Sequence, residues 1–184
     1  RTAVRICLTS SFPMWIWWGP EYTMFYNDAH RPMLGAAKHP LWLGRSAKGC
    51  WSEIWDDITP MIEGAEKRGE ASGFSDLLLI LDRNSIKEET YFTFSISPIL
   101  GGRGTVDGLI CPTTETTRQV VSERRLRTLR DLGTGAADRK SAVEACAAIG
   151  EILKANPHDV PFGLITSLLV CTALALAFAM FLTR

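Results

Sequence analysis

The stretch Phe74-Ser75-Asp76-Leu77-Leu78-Leu79-Ile80-Leu81, a polar break at Asp82-Arg83-Asn84-Ser85, then Glu89-Thr90-Tyr91-Phe92-Thr93-Phe94-Ser95-Ile96-Ser97 and, past Gly101-Gly102-Arg103-Gly104, Val106-Asp107-Gly108-Leu109-Ile110-Cys111 decides how this chain folds. Between residues 89 and 97 polar and apolar residues nearly alternate. Phe92, Phe94 and Ile96 fall on one side of a strand and Thr93, Ser95 and Ser97 on the other. That is a sheet with one buried face. The two breaks are rich in residues that tolerate turn conformations, so three strands should form an antiparallel meander.

Upstream, Met14-Trp15-Ile16-Trp17-Trp18-Gly19-Pro20 and Thr23-Met24-Phe25-Tyr26-Asn27-Asp28 read as strand, turn, strand, because aromatic side chains pack well on a pleated surface. Val4-Arg5-Ile6-Cys7-Leu8 fits either a strand or the end of a helix. Asn27 or Asp28 can cap a short helix, and Pro32 and Pro40 break the chain after it. In residues 50–63, Trp51, Ile54, Trp55, Ile58 and Ile62 recur at helical spacing, with Pro60 expected to split or kink that helix. Two strands, short helices and three more strands give an α+β class: a five-stranded antiparallel sheet with helices on one face.

Residues 115–132 are polar and helical, with Val121, Leu126, Leu129 and Leu132 as a broken apolar stripe, and Gly133 and Gly135 are expected to end the helix. An amphipathic helix over residues 141–154 starts a second unit. Residues 162–183 carry no charge, which meets the length and composition of a membrane-spanning helix. A buried segment of a globular core is the alternative.

Composition narrows the function. With 20 basic and 20 acidic residues among 184 the net charge is zero, which argues against a protein that coats nucleic acid or an anionic membrane. Cys7, Cys50, Cys111, Cys146 and Cys171 are too widely spaced for a disulfide framework or zinc site. They read as buried reduced thiols of an intracellular domain. No phosphate-binding loop and no nucleophile elbow is visible, so no catalytic activity is expected. The Arg124, Arg125, Arg127 and Arg130 cluster, beside Glu123 and Asp131, reads as a solvated helix face, as do Glu53, Asp56 and Asp57 further upstream.

Trp15-Ile16-Trp17-Trp18-Gly19-Pro20, Phe25-Tyr26-Asn27-Asp28-Ala29, Leu43-Gly44-Arg45, Trp51-Ser52-Glu53-Ile54-Trp55, the strand from Glu89 to Ile99, Gly108 and Thr114-Glu115-Thr116-Thr117 together resemble a PAS domain. More narrowly, they look like the PAS domain that precedes a GAF domain in sensor histidine kinases and hybrid kinases. The resemblance covers residues 12–117 as a PAS domain and 118–134 as its linker helix. Residues 135–165 are similar to the start of a GAF domain, truncated where the apolar tail, residues 162–183, begins.

The resemblance implies a non-catalytic sensory module that binds a small ligand or partner and relays the change through a helical linker. The kinase and phospho-accepting regions of such proteins are absent from this chain. A membrane-tethered dimerisation scaffold, or a gene fragment without function, is the alternative.

A ligand pocket would lie between the helices and the inner sheet face, at Trp51, Trp55, Phe92, Phe94 and Ile96, although aromatic residues at such spacings also serve simply as core. Covalent flavin is disfavoured, since Gly44-Arg45-Ser46-Ala47-Lys48-Gly49-Cys50 lacks the Gly-x-Asn-Cys-Arg-Phe pattern of light-sensing PAS domains. Haem is disfavoured because His30 and His39 sit beside prolines in irregular segments and His158 lies beyond the domain. The cofactor is therefore unknown. Implied partners are a second copy through the PAS domain and linker helix, a small molecule, and a membrane through the tail; nucleic acid is not among them. The Asp-hydrophobic-Thr motif that commonly ties the last PAS strand to the outgoing helix is replaced by Pro112-Thr113-Thr114, leaving that tie without its residues.

Overall fold

In the computed structural model, residues 1–83, 86–102, 104–137, 139–170 and 173–179 are described. Asn84 and Ser85 of the first expected turn, Arg103 of the second, Cys171 and the last residues of the expected spanning segment lie outside them. The chain divides into two units, residues 1–120 and 121–184.

Unit 1 opens with helix α1 (Thr2–Thr9), one of the two readings open for that stretch, followed by β1 (Met14–Trp18) and β2 (Thr23–Tyr26). Then come a 3-10 turn at Asp28–His30, α2 (Arg31–Lys38), α3 (Ala47–Cys50) and α4 (Trp55–Arg68). The meander follows as β3 (Ser72–Arg83), β4 (Ile86–Leu100) and β5 (Val106–Glu115). The sheet order is β2-β1-β5-β4-β3, and every neighbouring pair is antiparallel. β5 sits at the centre, so both halves of the sheet depend on how closely β1 approaches it. Gly108 makes that approach possible: a Cβ there would lie 2.6 Å from the Trp17 carbonyl oxygen, inside any real contact.

The alternation read from β4 holds. Thr90, Phe92 and Ile96 are buried and Phe94 is half-buried on the same face. On β1, Trp15 and Trp17 share the inner face two residues apart and stack with ring centroids 4.1 Å apart. The α4 region differs from expectation. The break falls at Trp51–Ile54, ahead of Pro60, and Pro60 lies inside a continuous α4. Trp51 and Ile54 are buried from that connecting turn. The Thr59 hydroxyl donates to the Trp55 carbonyl beside the proline, and Gly69, left-handed at φ 65°, ends the helix.

Helix α5 (Thr117–Ala137) begins in unit 1 and continues through Gly133 and Gly135 instead of stopping at them. Neither adopts the left-handed conformation a glycine stop requires. Gly135 serves packing: a Cβ there would meet Ile152 Cδ1 at 2.5 Å, so its absence lets the next helix, α6 (Ala142–Lys154), come close. Ser141 caps α6 by accepting from the Glu144 N–H. Arg124 and Arg125 both bind Asp159, and Asn156 bridges Thr128 and Asp159. Arg124 and Arg125 are thus ion-paired to Asp159 and Arg130 lies 3.7 Å from Asp131, while Arg125, Arg127 and Arg130 are exposed.

The expected spanning helix is corrected. β6 (Leu164–Val170) and β7 (Ala173–Ala179) pair antiparallel, with Leu169 opposite Leu174. An uninterrupted apolar run has no period to separate helix from strand, and here two seven-residue arms pair instead. No helix among the described residues is long and apolar enough to cross a membrane.

Candidate functional site

Between α2, the connecting turn, α4 and the inner sheet face lies a cavity of ≈ 60 Å³. Trp51, Phe92, Phe94 and Ile96 line it, as do Trp15, Trp17, Met33, Ile58, Leu81 and Thr113. Trp55 does not. It is half-buried against Trp17 and Tyr22, at ring distances of 5.8 and 5.6 Å, and borders a separate depression with Lys48 and Glu63. Trp51 also carries the Lys38 ammonium over its ring, 4.3 Å from the centroid, and Lys38 in turn pairs with Glu53. Asp56 and Asp57 are exposed in the first turn of α4, the wet face expected of them.

His30 is the lining residue that sequence reasoning set aside. It closes the 3-10 turn and is 2% exposed. Its position follows from Asn27, which is 3% exposed. The Asn27 amide nitrogen donates to the Ser10 and Phe12 carbonyls, and its oxygen accepts from the Met14 and His30 N–H groups. This saturates the amide and holds the turn against β1, which directs the His30 ring into the cavity. Asn27 as a cap was the available signal; nothing local marked the ring as a cavity wall. Neither His30 nitrogen has a hydrogen-bond partner, and neither does the buried Trp17 Nε1. Burial pushes the imidazole pKa down to about 4, so the ring is neutral at pH 7. His39 is occupied differently, its Nδ1 lying 2.9 Å from the Tyr26 hydroxyl.

The residues do not fit the larger cofactors of related folds. An apolar cavity that admits benzene measures about 150 Å³; this one is under half that size and would not accept a flavin or a haem without displacing its walls. Cys50 is not among the lining residues, and desolvation pushes it up to about 12. Cys111 is likewise pushed up to about 12 by burial. Cys7, Cys50 and Cys111 are buried as expected, but Cys146 is only half-buried.

A second cluster joins the sheet to α5. The Arg83 guanidinium binds Glu115 through two bonds of 3.1 and 2.9 Å. The Thr117 hydroxyl donates to Glu115 and accepts from the Tyr91 N–H, while the Tyr91 carbonyl accepts from the Thr116 N–H. The Thr116 hydroxyl donates to Asp76, a left-handed residue at φ 48° in the β3 bulge. The tie between the last strand and the outgoing helix is therefore made, but by Glu115-Thr116-Thr117. Of the triplet Pro112-Thr113-Thr114, Thr113 faces inward to the cavity and to Cys111.

A LOV protein from Rhodobacter sphaeroides superposes with TM-score 0.51 and 15% identity, over 84% of this chain and 90% of that one. A d2 variant of RsLOV gives 0.51 and 15%, over 85% and 96%. The PAS domain of a Colwellia psychrerythraea protein gives 0.48 and 9%, over 64% and 96%. No family model matches the chain, and no curated protein does. At such identities the likeness concerns architecture alone, and the two LOV superpositions carry it: the chain contains a PAS/LOV fold, a five-stranded antiparallel sheet with helices.

Proposed function

We propose that unit 1 is a non-catalytic sensory module that binds a small molecule in the Trp51–Phe92–His30 cavity and relays the change into α5. One observation carries this reading. Phe92 lines the cavity, and the adjacent Tyr91 backbone holds the first residues of α5 through the Thr116 N–H and the Thr117 hydroxyl. A shift of β4 that accommodates a ligand at Phe92 moves those bonds within one residue step. For the shift to be a signal, the ligand must favour one arrangement of the junction over another. A role as the sensor part of a histidine-kinase-type protein, with residues 135–165 opening a GAF-like domain, is supported by the order of the sequence motifs and by α6 preceding β6.

The test is native mass spectrometry of the full chain, followed by hydrogen exchange before and after mild removal of any bound small molecule. A copurifying small molecule is expected, with exchange at the Tyr91 and Thr116 amides differing at least threefold between the two states. Equal exchange in both would sink the relay. An interaction-scaffold reading is favoured by Leu126 and Leu129, which are 65% and 63% exposed on α5; it calls for a dimer in sedimentation that Leu126→Glu dissolves.

A further inference from the structure

Three buried polar atoms without partners belong to two residues that line one cavity. Trp17 Nε1 is a donor, and His30 supplies one donor and one acceptor because its buried ring is neutral. Buried groups of this kind are nearly always paired, and leaving one unpaired is costly. Among the described residues the nearby hydroxyls already have partners: Tyr26, whose ring lies 5.8 Å from His30, meets His39 through its hydroxyl, and Thr113 Oγ1 lies 3.2 Å from Cys111 Sγ. The remaining lining side chains are apolar or aromatic, and none is charged.

We propose that the cavity selects a small uncharged molecule that presents an acceptor to the Trp17 indole N–H and a donor or an acceptor to one nitrogen of the His30 imidazole. This rests on the sensory reading of the cavity and adds the ligand's chemistry to it. An ion is excluded by the desolvation cost of entering an apolar chamber without a counter-charge. A purely apolar molecule leaves the three atoms as they are and gains only contact area. Size sets the second limit: at ≈ 60 Å³, against about 150 Å³ for a benzene-sized chamber, the ligand has a handful of heavy atoms, with Met33, an adaptable side chain, the wall able to yield. Short alcohols, ketones, amides and small azoles belong to this class.

Pyrazole, a neutral five-membered ring with adjacent donor and acceptor, is the probe; thiophene is its apolar counterpart and acetate its charged one. With the full 184-residue chain, pyrazole at ten times its Kd is expected to raise Tm by about 4 °C and to move the Trp17 indole N–H resonance downfield. Thiophene and acetate should do neither. His30→Phe and Trp17→Phe, which remove polar atoms while keeping an aromatic ring, should each weaken pyrazole at least tenfold. Equal binding of thiophene, or pyrazole binding untouched by His30→Phe, overturns the polar selection and leaves the sensory reading intact. A Trp17 indole resonance that exchanges with water and ignores pyrazole means that ordered water alone satisfies the three atoms, and the inference fails; the relay is then judged by its own exchange measurement at Tyr91 and Thr116.

Discussion

The cavity and the sheet–helix junction share β3, β4 and β5 but treat polar groups in opposite ways. At the junction Arg83, Glu115, Thr116, Thr117, Asp76 and the Tyr91 backbone are cross-linked by charge-assisted and neutral hydrogen bonds. In the cavity His30 and Trp17 hold polar atoms that bind nothing. The same contrast appears within four residues of sequence, since Asn27 makes four hydrogen bonds from its side chain and the His30 ring makes none. A cross-linked network specifies one arrangement, even with the Arg83 Nε left without a hydrogen-bond partner, whereas unpartnered atoms in an apolar cavity carry a cost that a new partner relieves.

The contrast breaks most visibly if the junction proves dispensable. Arg83→Ala strands the partly buried Glu115 carboxylate and is expected to cost about 3 kcal/mol in urea unfolding. Paired with Glu115→Gln in a double-mutant cycle, it should show a coupling of at least about 1.5 kcal/mol. A coupling within error of zero would make the junction an incidental surface contact.

At the cavity the expected effect is smaller and depends on pH. The unfolded chain protonates His30 near its ordinary value of 6.5, while the buried ring resists until about 4. Within that window the unfolded state holds more protons, so stability is fully present above pH 6.5 and falls as the pH drops. The loss between pH 6.5 and 5 should be roughly 2 kcal/mol. His30→Phe should flatten this slope and raise stability at pH 5. An unchanged slope in the variant would place the titration elsewhere and the ring in water.

Sequence reading reached the scaffold and stopped short of both sites, for physical reasons. The period-two alternation from Thr90 to Ile96 and the aromatic strand at Trp15 and Trp17 are local signals, and they hold as β4 and β1. Four of the five residues picked for the pocket line the cavity. Trp55 does not, because a helical period shared by Trp51 and Trp55 assumes one helix where the chain turns at Ile54. The triplet Pro112-Thr113-Thr114 falls three residues short of the junction made by Glu115-Thr116-Thr117. Its decisive partner, Arg83, lies 32 residues away from Glu115, and no local pattern encodes such a pairing. Gly133 and Gly135 resemble a helix stop until the approach of Ile152 is known. The tail's apolar run carries no periodicity by which strand and helix could have been told apart.

The smallest expected change is the one that speaks most directly to the relay. Thr117→Val keeps the shape and the β-branch but removes a hydroxyl that both donates to Glu115 and accepts from the Tyr91 N–H. Stability should fall by only about 1 kcal/mol, because the Arg83–Glu115 pair and the bond from the Thr116 N–H to the Tyr91 carbonyl remain. Exchange at the Tyr91 amide should nevertheless rise at least tenfold, and pyrazole in the cavity should no longer alter exchange in the first turn of α5. If ligand-dependent protection survives in this variant, the path runs through Thr116 and Asp76 instead, and Asp76→Ala should abolish it. Protection surviving both changes would mean that the cavity and the helix are neighbours on one sheet without being coupled.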